Sequence, residues 1–227
     1  MAAPCVNGTL QSYINLGAAG CSVGIVDYQS FTIVPGQNFA TVINPASVTV
    51  TPGGSLLNTT LRLGLNQTAE ANQLFDLIFR VRAVGNLTGA SAMLGTPTAT
   101  GDGVSTAVLE VCPGGNFMGM SPSGCSTGAQ TAIAFADAIG PNTLTDNVAA
   151  KASFFDIFFD VSIDGGTAGR ATLASATLGV NAVPEPSTML LMALGLAAMA
   201  HGLRGNGNWG RTTARCAARS ACRDEHH

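Results

Sequence analysis

The sequence predicts an all-β fold: an antiparallel β-sandwich or jelly-roll-like domain of about eight strands over residues 1–180, followed by one C-terminal apolar helix. Three observations predict it. In two segments apolar and polar residues alternate with a period of two, the pattern of a half-buried antiparallel strand. Glycine-rich turns punctuate the chain between them. Charged residues make up only 10% of the sequence and glycine supplies 28 of 227 positions, where an average soluble domain carries about 25% charge. That composition excludes a coiled coil, a charged helical bundle and an acidic disordered chain.

The elements follow in chain order. A short helix is expected near residues 9–16, where Leu10, Tyr13 and Ile14 have helical spacing. The first strong strand covers residues 75–82, with Phe75, Leu77, Phe79 and Val81 inward and Asp76, Arg80 and Arg82 on the solvent side. The second covers residues 155–163, with Phe155, Ile157, Phe159, Val161 and Ile163 inward. Weaker strands are expected at 22–34, 39–51, 60–65, 104–111, 131–136 and 170–180. Pro35-Gly36, Pro52-Gly53-Gly54, Gly101-Asp102-Gly103 and Asp164-Gly165-Gly166 separate them as turns.

After Val180 the pattern changes. Val183-Pro184-Glu185-Pro186-Ser187-Thr188 leads into an uncharged apolar run at residues 189–200, which extends less strictly to Leu203 before Arg204. Counted from Ser187, the run is about 26 Å of helix, the lower edge for a bilayer span. The prolines block helix entry on one side, and the bases lie on the other, as the positive-inside rule requires. Beyond it, Arg211, Arg215, Arg219 and Arg223 recur every four residues. In a helix they would make one basic stripe facing anionic lipid. A frameshifted or read-through end gives the same tail.

Pro-Glu-Pro, a Ser/Thr step, an apolar helix and a basic end together resemble the PEP-CTERM sorting signal of exported Gram-negative bacterial proteins. The resemblance implies that an exosortase, a transpeptidase-like membrane enzyme, recognises Pro184, Glu185 and Pro186. It implies an inner-membrane anchor at residues 189–203 and a basic stop beginning at Arg204. The domain organisation expected is then an exported β domain at 1–180, a sorting signal at 181–204 and a basic tail at 205–227. One feature departs from the family, whose arginine cluster directly follows the helix: here Arg204 is followed by Gly205-Asn206-Gly207-Asn208. The stretches Cys5…Gly20-Cys21-Ser22-Val23-Gly24 and Asp164-Gly165-Gly166…Gly169-Arg170 are similar to an uncharacterised group of domains that such proteins carry, which implies no activity.

Cysteine usage bears on the compartment. The four body cysteines fall as Cys5…Cys21 and Cys112…Cys125, without the two-residue gap of a zinc or redox motif. Of three connectivities, the local one closes two loops of about 15 residues, each worth roughly 3 kcal/mol; the alternative is four buried thiols acting as small apolar residues. Disulfides imply an oxidising compartment. Residues 1–5 lack the basic and apolar regions of a signal peptide and read as the tail of a cleavage site, so an export signal is expected upstream of the given start.

Function classes are excluded by residue type. The three histidines, His201, His226 and His227, all lie outside the body, which removes Ser-His-Asp, Cys-His and histidine-zinc chemistry from it. Residues 1–183 hold five bases against ten acids, a net charge of −5, so no nucleic-acid partner is expected. Asp156, Asp160 and Asp164 invite calcium, but side chains four residues apart on a strand are about 13 Å apart, so exposed solvent-face charge is expected. Lys151, the one lysine, is expected on an exposed loop. Glu70 and Glu110, as an acid and nucleophile pair, would need an aromatic platform that neither has. No cofactor, metal or catalytic residue is expected. The reading is a non-enzymatic envelope or extracellular-matrix protein, partnered by exosortase, the inner membrane and an exopolysaccharide. The alternative is a carbohydrate-binding jelly roll, disfavoured because the body lacks Trp and holds only Tyr13 and Tyr28 for sugar stacking.

Overall fold

The computed structural model describes residues 2–36, 40–119 and 124–184, and in the C-terminal segment residues 190–192, 194–196 and 199. The chain divides into two units, Met1–Val183 and Pro184–His227. Among the described residues the first is all-β and antiparallel apart from the short parallel pairing of residues 41–42 with 75–76, an isolated parallel bridge between Pro4 and Ser22, and one short helix.

Its elements are β1 (Gly8–Thr9), α1 (Leu10–Ile14), β2 (Cys21–Val23), β3 (Val26–Val34), β4 (Thr41–Val42), β5 (Thr49–Gly54), β6 (Asn58–Ala69), β7 (Leu74–Thr100), β8 (Val104–Pro113), β9 (Gln130–Asp137), β10 (Thr145–Asp164) and β11 (Arg170–Ala182). Among the described residues, eleven strands replace the eight expected. The expected 22–34 strand breaks at Gly24, whose φ of 58° turns β2 back onto β3. The expected 39–51 strand survives only as β4 and the start of β5. The helix forms where expected, with the Thr9 hydroxyl accepting from the Ser12 N–H at 3.2 Å as its N-cap.

Two long strands organise the unit. β7 runs for 27 residues and β10 for 20. Over residues 78–84, β7 lies between β3 and β10; from residue 87 onward its β3 side is taken by β11. Hydrogen bonding is thus continuous, but the pairing separates into two halves. One contains β5, β6, β11, the C-terminal half of β7 and the start of β10; the other contains β3, the rest of β7 and β10, β8 and β9. Strands that pass from one sheet to the other make the corners of sandwich-like folds.

Both halves send their inward residues into one core. Leu77, Phe79, Val81, Phe155, Ile157, Phe159, Val161 and Ile163 are fully buried there. Phe79 packs edge-on against Phe159 with ring centroids 5.7 Å apart. A second, smaller core lies on the outer face: Phe158, Phe117, Val34 and Cys112 cluster beneath the loop that follows β8.

Three turns lock together at one end. Asp102, between β7 and β8, accepts from Thr167 N, Thr167 Oγ1 and Ala168 N in the β10–β11 turn at 2.7–3.0 Å. Those donors hold its carboxyl well below the usual carboxylate range, the Thr167 hydroxyl foremost. Gly165 is glycine because a Cβ there would collide with the Glu70 carbonyl of the β6–β7 turn. The Asp164-Gly165-Gly166…Gly169-Arg170 stretch is therefore a structural clasp.

Candidate functional site

The sorting segment follows β11, the last strand of the β unit. β11 lies between β6 and β7, and its end is pinned by two backbone bonds: Ala182 N donates to Leu57 O and Val183 N to Asn86 O, each at 2.8 Å. Ala182 is buried, and Pro184 is half-buried. Glu185, Pro186 and Arg204 of the expected signal lie outside the described residues, as does the arginine-spaced tail. In the second unit, residues 190–192, 194–196 and 199 are helical. Leu190, Leu191, Met192, Leu194, Leu196 and Met199 are each 57–70% exposed. Among the described residues, no helix is long and apolar enough to cross a membrane.

Both local disulfides are present, Cys5–Cys21 with Cα atoms 4.8 Å apart and Cys112–Cys125 at 5.5 Å. The first joins the N-terminal segment to β2, where Cys5 N donates to Ser22 O at 2.8 Å. The second closes the loop over the small outer core.

The aspartates of β10 correct the expectation of solvent-face charge. Asp156 is 2% exposed. It pairs with Arg80, whose Nε donates to Oδ1 at 2.8 Å and whose Nη2 donates to Oδ2. Asp156 Oδ2 also accepts from Phe117 N at 2.9 Å, while Arg80 reaches the carbonyls of Phe117 and Gly119. The pair thus ties residues 117–119, in the loop after β8, to the sheet, and that segment covers Asp156. Asp76, also expected outside, is 3% exposed.

Asp160 stands opposite Ile78 of β7 and Val108 of β8. Burial beside those aliphatic neighbours, then the adjacent Asp76 carboxylate and its hydrogen bond, then the Glu110 charge, push its carboxyl up to about 7. Burial also raises Glu110. Asp164 caps its own turn, accepting from Gly166 N at 2.8 Å. Glu70 and Glu110 are not brought together: Glu70 meets Arg170 at 3.0 Å in the turn clasp, and Glu110 faces the Asp76–Asp160 pair. Sequence reasoning missed the Asp76–Asp160 pair, because only strand register places two carboxylates 84 positions apart side by side. Among the described residues, no group of three or more His, Cys, Asp or Glu side chains is arranged to hold a metal.

Neither tyrosine is available to a ligand. Tyr28 is fully buried with its hydroxyl 2.7 Å from Thr59 Oγ1, and Tyr13 donates to Val6 O at 2.8 Å. Burial pushes both phenols up, Tyr13 to about 12. Lys151 is exposed, on β10 rather than a loop.

The opposite half presents a different outer face. Across β5, β6, β11 and β7, Thr49, Gly64, Ser175 and Gly95 fall in one row, and Gly53, Thr60, Gly179 and Ser91 in another. A Cβ on Gly64, Gly95 or Gly179 would collide with the hydroxyl of Thr49, Ser175 or Ser91 respectively. Each hydroxyl therefore lies over a neighbouring glycine, which keeps the face flat. Arg62 stands between these rows, its Nε donating to Ser175 Oγ at 3.1 Å.

Compared with known proteins, residues 182–204 match the PEP-CTERM protein-sorting motif. That motif marks an exported, sorted protein. No curated protein matches the chain by sequence. Among solved structures, the chain is similar to the enzymatically active domain of bacteriophage CBA120 tailspike protein 4, at 12% identity and a TM-score of 0.27, covering 65% of this chain and 19% of that one. It is also similar to TmCBM61, solved with beta-1,4-galactotriose, at 10% identity and a TM-score of 0.26, covering 66% of this chain and 86% of that one.

Proposed function

We propose that this chain is a non-catalytic, sandwich-like β domain exported to the cell envelope, held in the inner membrane by its C-terminal helix and processed by an exosortase at Pro184-Glu185-Pro186. The sorting motif at residues 182–204 carries the reading. The physical chemistry of the second unit supports it: its described leucines and methionines are more than half exposed, and a bilayer is a solvent that would bury such side chains. A residue before proline is biased toward extended backbone and a glutamate side chain resists burial, so the sequence Pro184-Glu185-Pro186 suits recognition at a membrane surface. After processing, the domain stays at the surface or with extracellular polymer.

A mass spectrum of the mature C-terminus, from a host that carries the sorting enzyme, tests this. The expected chain ends near residue 186; Glu185→Gln, or both prolines to Ala, leaves the tail attached. A wild-type chain still ending in His227 refutes processing. Deleting residues 189–203 should move the protein from the membrane fraction to a soluble one with its β structure intact, and unfolding on deletion would show that the apolar run belongs to the core instead.

A further inference from the structure

The flat outer face around Arg62 has a charge pattern that the rest of the domain does not share. Residues 1–183 carry twice as many acids as bases. Their carboxylates gather in the turn clasp (Glu70, Asp102, Asp164) and on the opposite half (Asp76, Asp156, Asp160). Among the described residues, the row that crosses the flat face through Arg62 is Thr51, Arg62, Thr177, Met93 and Thr145. The row beside it ends in Ser91 and Asn147. Asp146, the nearest carboxylate in the strand, turns its oxygens to the Ile133 and Asn147 N–H groups at 2.8 Å. Among the described residues, these rows of an acidic domain thus hold no carboxylate and one exposed guanidinium, that of Arg62. Ser175, 1% exposed beneath that guanidinium, fixes its orientation through Nε, and among the described residues no partner occupies the two Nη groups.

We propose that this face binds an extended acidic polysaccharide, a uronic-acid polymer, with Arg62 receiving a carboxylate and the surrounding hydroxyls and amides receiving sugar hydroxyls. The proposal rests on the envelope reading above and names the ligand class of that domain. Three properties fit this class. Ser, Thr and Asn side chains both donate and accept, as sugar hydroxyls do. Five strands at about 4.8 Å spacing give a face about 19 Å wide, with glycines leaving no ridge across it. The guanidinium is planar and matches a carboxylate with two parallel bonds. No aromatic ring stands on this face among the described residues, so each repeat is held weakly and retention depends on many domains meeting one long polymer.

The test is native gel electrophoresis of the mature chain through gels containing polygalacturonate, neutral dextran or polyglutamate. Polygalacturonate should retard the wild type, dextran much less. Arg62→Gln should weaken retardation roughly tenfold, the scale of a lost hydrogen-bonded charge, with its thermal midpoint measured alongside. Arg82→Gln, a cation on the other half, should behave as wild type. If Arg62→Gln proves unstable, Thr60→Val with Thr177→Val removes two face hydroxyls at matched size and should weaken retardation severalfold. Equal retardation by polyglutamate would overturn the sugar assignment, and unchanged binding in the Arg62 variant would overturn the face. A wild type that is processed normally yet unretarded by any gel leaves sorting intact and ends this proposal.

Discussion

The two halves of the long strands β7 and β10 are built from different alphabets. Residues 74–84 of β7, facing 154–164 of β10, are aromatic, aliphatic and charged. Residues 87–93, facing 145–152, are mostly alanine, glycine, serine and threonine. In the first half, Phe79, Phe155 and Phe159 fill the core, and the Arg80–Asp156 pair holds a disulfide-closed loop over the outer face. In the second, the inward residues of β7 include the small Ala90 and Ala92, beside a core whose large side chains, Leu61, Leu63 and Leu178, come from β6 and β11, and among the described residues no loop is anchored over the outer face in this way. The same two strands thus supply a covered half that stabilises the domain and an open half that is free to meet something else.

Core truncation breaks this comparison with the largest effect. Phe159→Ala removes a ring that is fully buried against Phe79 and should cost about 3–5 kcal/mol. Ala92→Gly, equally buried in the open half, removes one methyl and should cost about 1 kcal/mol. Urea unfolding of both variants measures the pair. Similar losses at the two sites would mean that stability is spread evenly and that the division into halves has no energetic content.

The same contrast decides how much was legible in the sequence. Phe155, Ile157, Phe159, Val161 and Ile163 announce an inward face because large apolar side chains alternate with polar ones, and all five are fully buried. Residues 85–100 carry no such signal: Ala90 and Ala92 point inward, Ser91 and Gly89 outward, and small residues on both sides leave no period to detect. The longest strand was therefore read as eight residues rather than 27. Both disulfides were legible from spacing, since each closes a short loop. The buried aspartates were not. A strand pattern shows that Asp156 and Phe159 lie on opposite faces, but not that the segment after β8 returns, through Phe117, to cover the face of Asp156. The flat face around Arg62 was also hidden, because its rows join residues from β5, β6, β11 and β7 that only register assembles.

Asp160 sharpens the comparison through pH. In the folded chain its carboxyl is pushed up to about 7, by burial first and by Asp76 and Glu110 after that. Unfolded, an aspartate titrates near the ordinary value of about 3.9. Between those values the folded chain holds a proton that the unfolded chain has released, so stability should fall as pH rises from about 4 and level off above about 7. Asp160→Asn cannot release a proton there. It should flatten that slope and stabilise the domain at neutral pH, by on the order of 1–3 kcal/mol. Urea midpoints from pH 4 to 8 for both proteins give the measurement. An unchanged slope in the variant would place the titration elsewhere in the molecule.

The smallest effect belongs to the open half, and it asks whether the hydroxyl-over-glycine pattern is what makes that face flat. Glycine inside a strand costs about 0.5–1 kcal/mol relative to alanine, so Gly179 in the central strand β11 is a weakness that some other requirement must explain. Its backbone has no need of glycine's freedom, since its φ is not among the positive values. The requirement is spatial: a Cβ at 179 meets the Ser91 hydroxyl, while the Ser91 Cβ and O stay at 3.7 and 3.9 Å. Gly179→Ala alone should therefore gain little, within about 0.5 kcal/mol of wild type, because the strand preference is offset by displacing that hydroxyl. Ser91→Ala alone should also be near neutral. Together they should stabilise by about 0.5–1 kcal/mol, since the new methyl then meets nothing that must move. A double-mutant cycle in urea resolves a coupling of this size. If the two changes simply add, the hydroxyl does not reserve the space above Gly179, and the flatness of the face is incidental to how β11 packs.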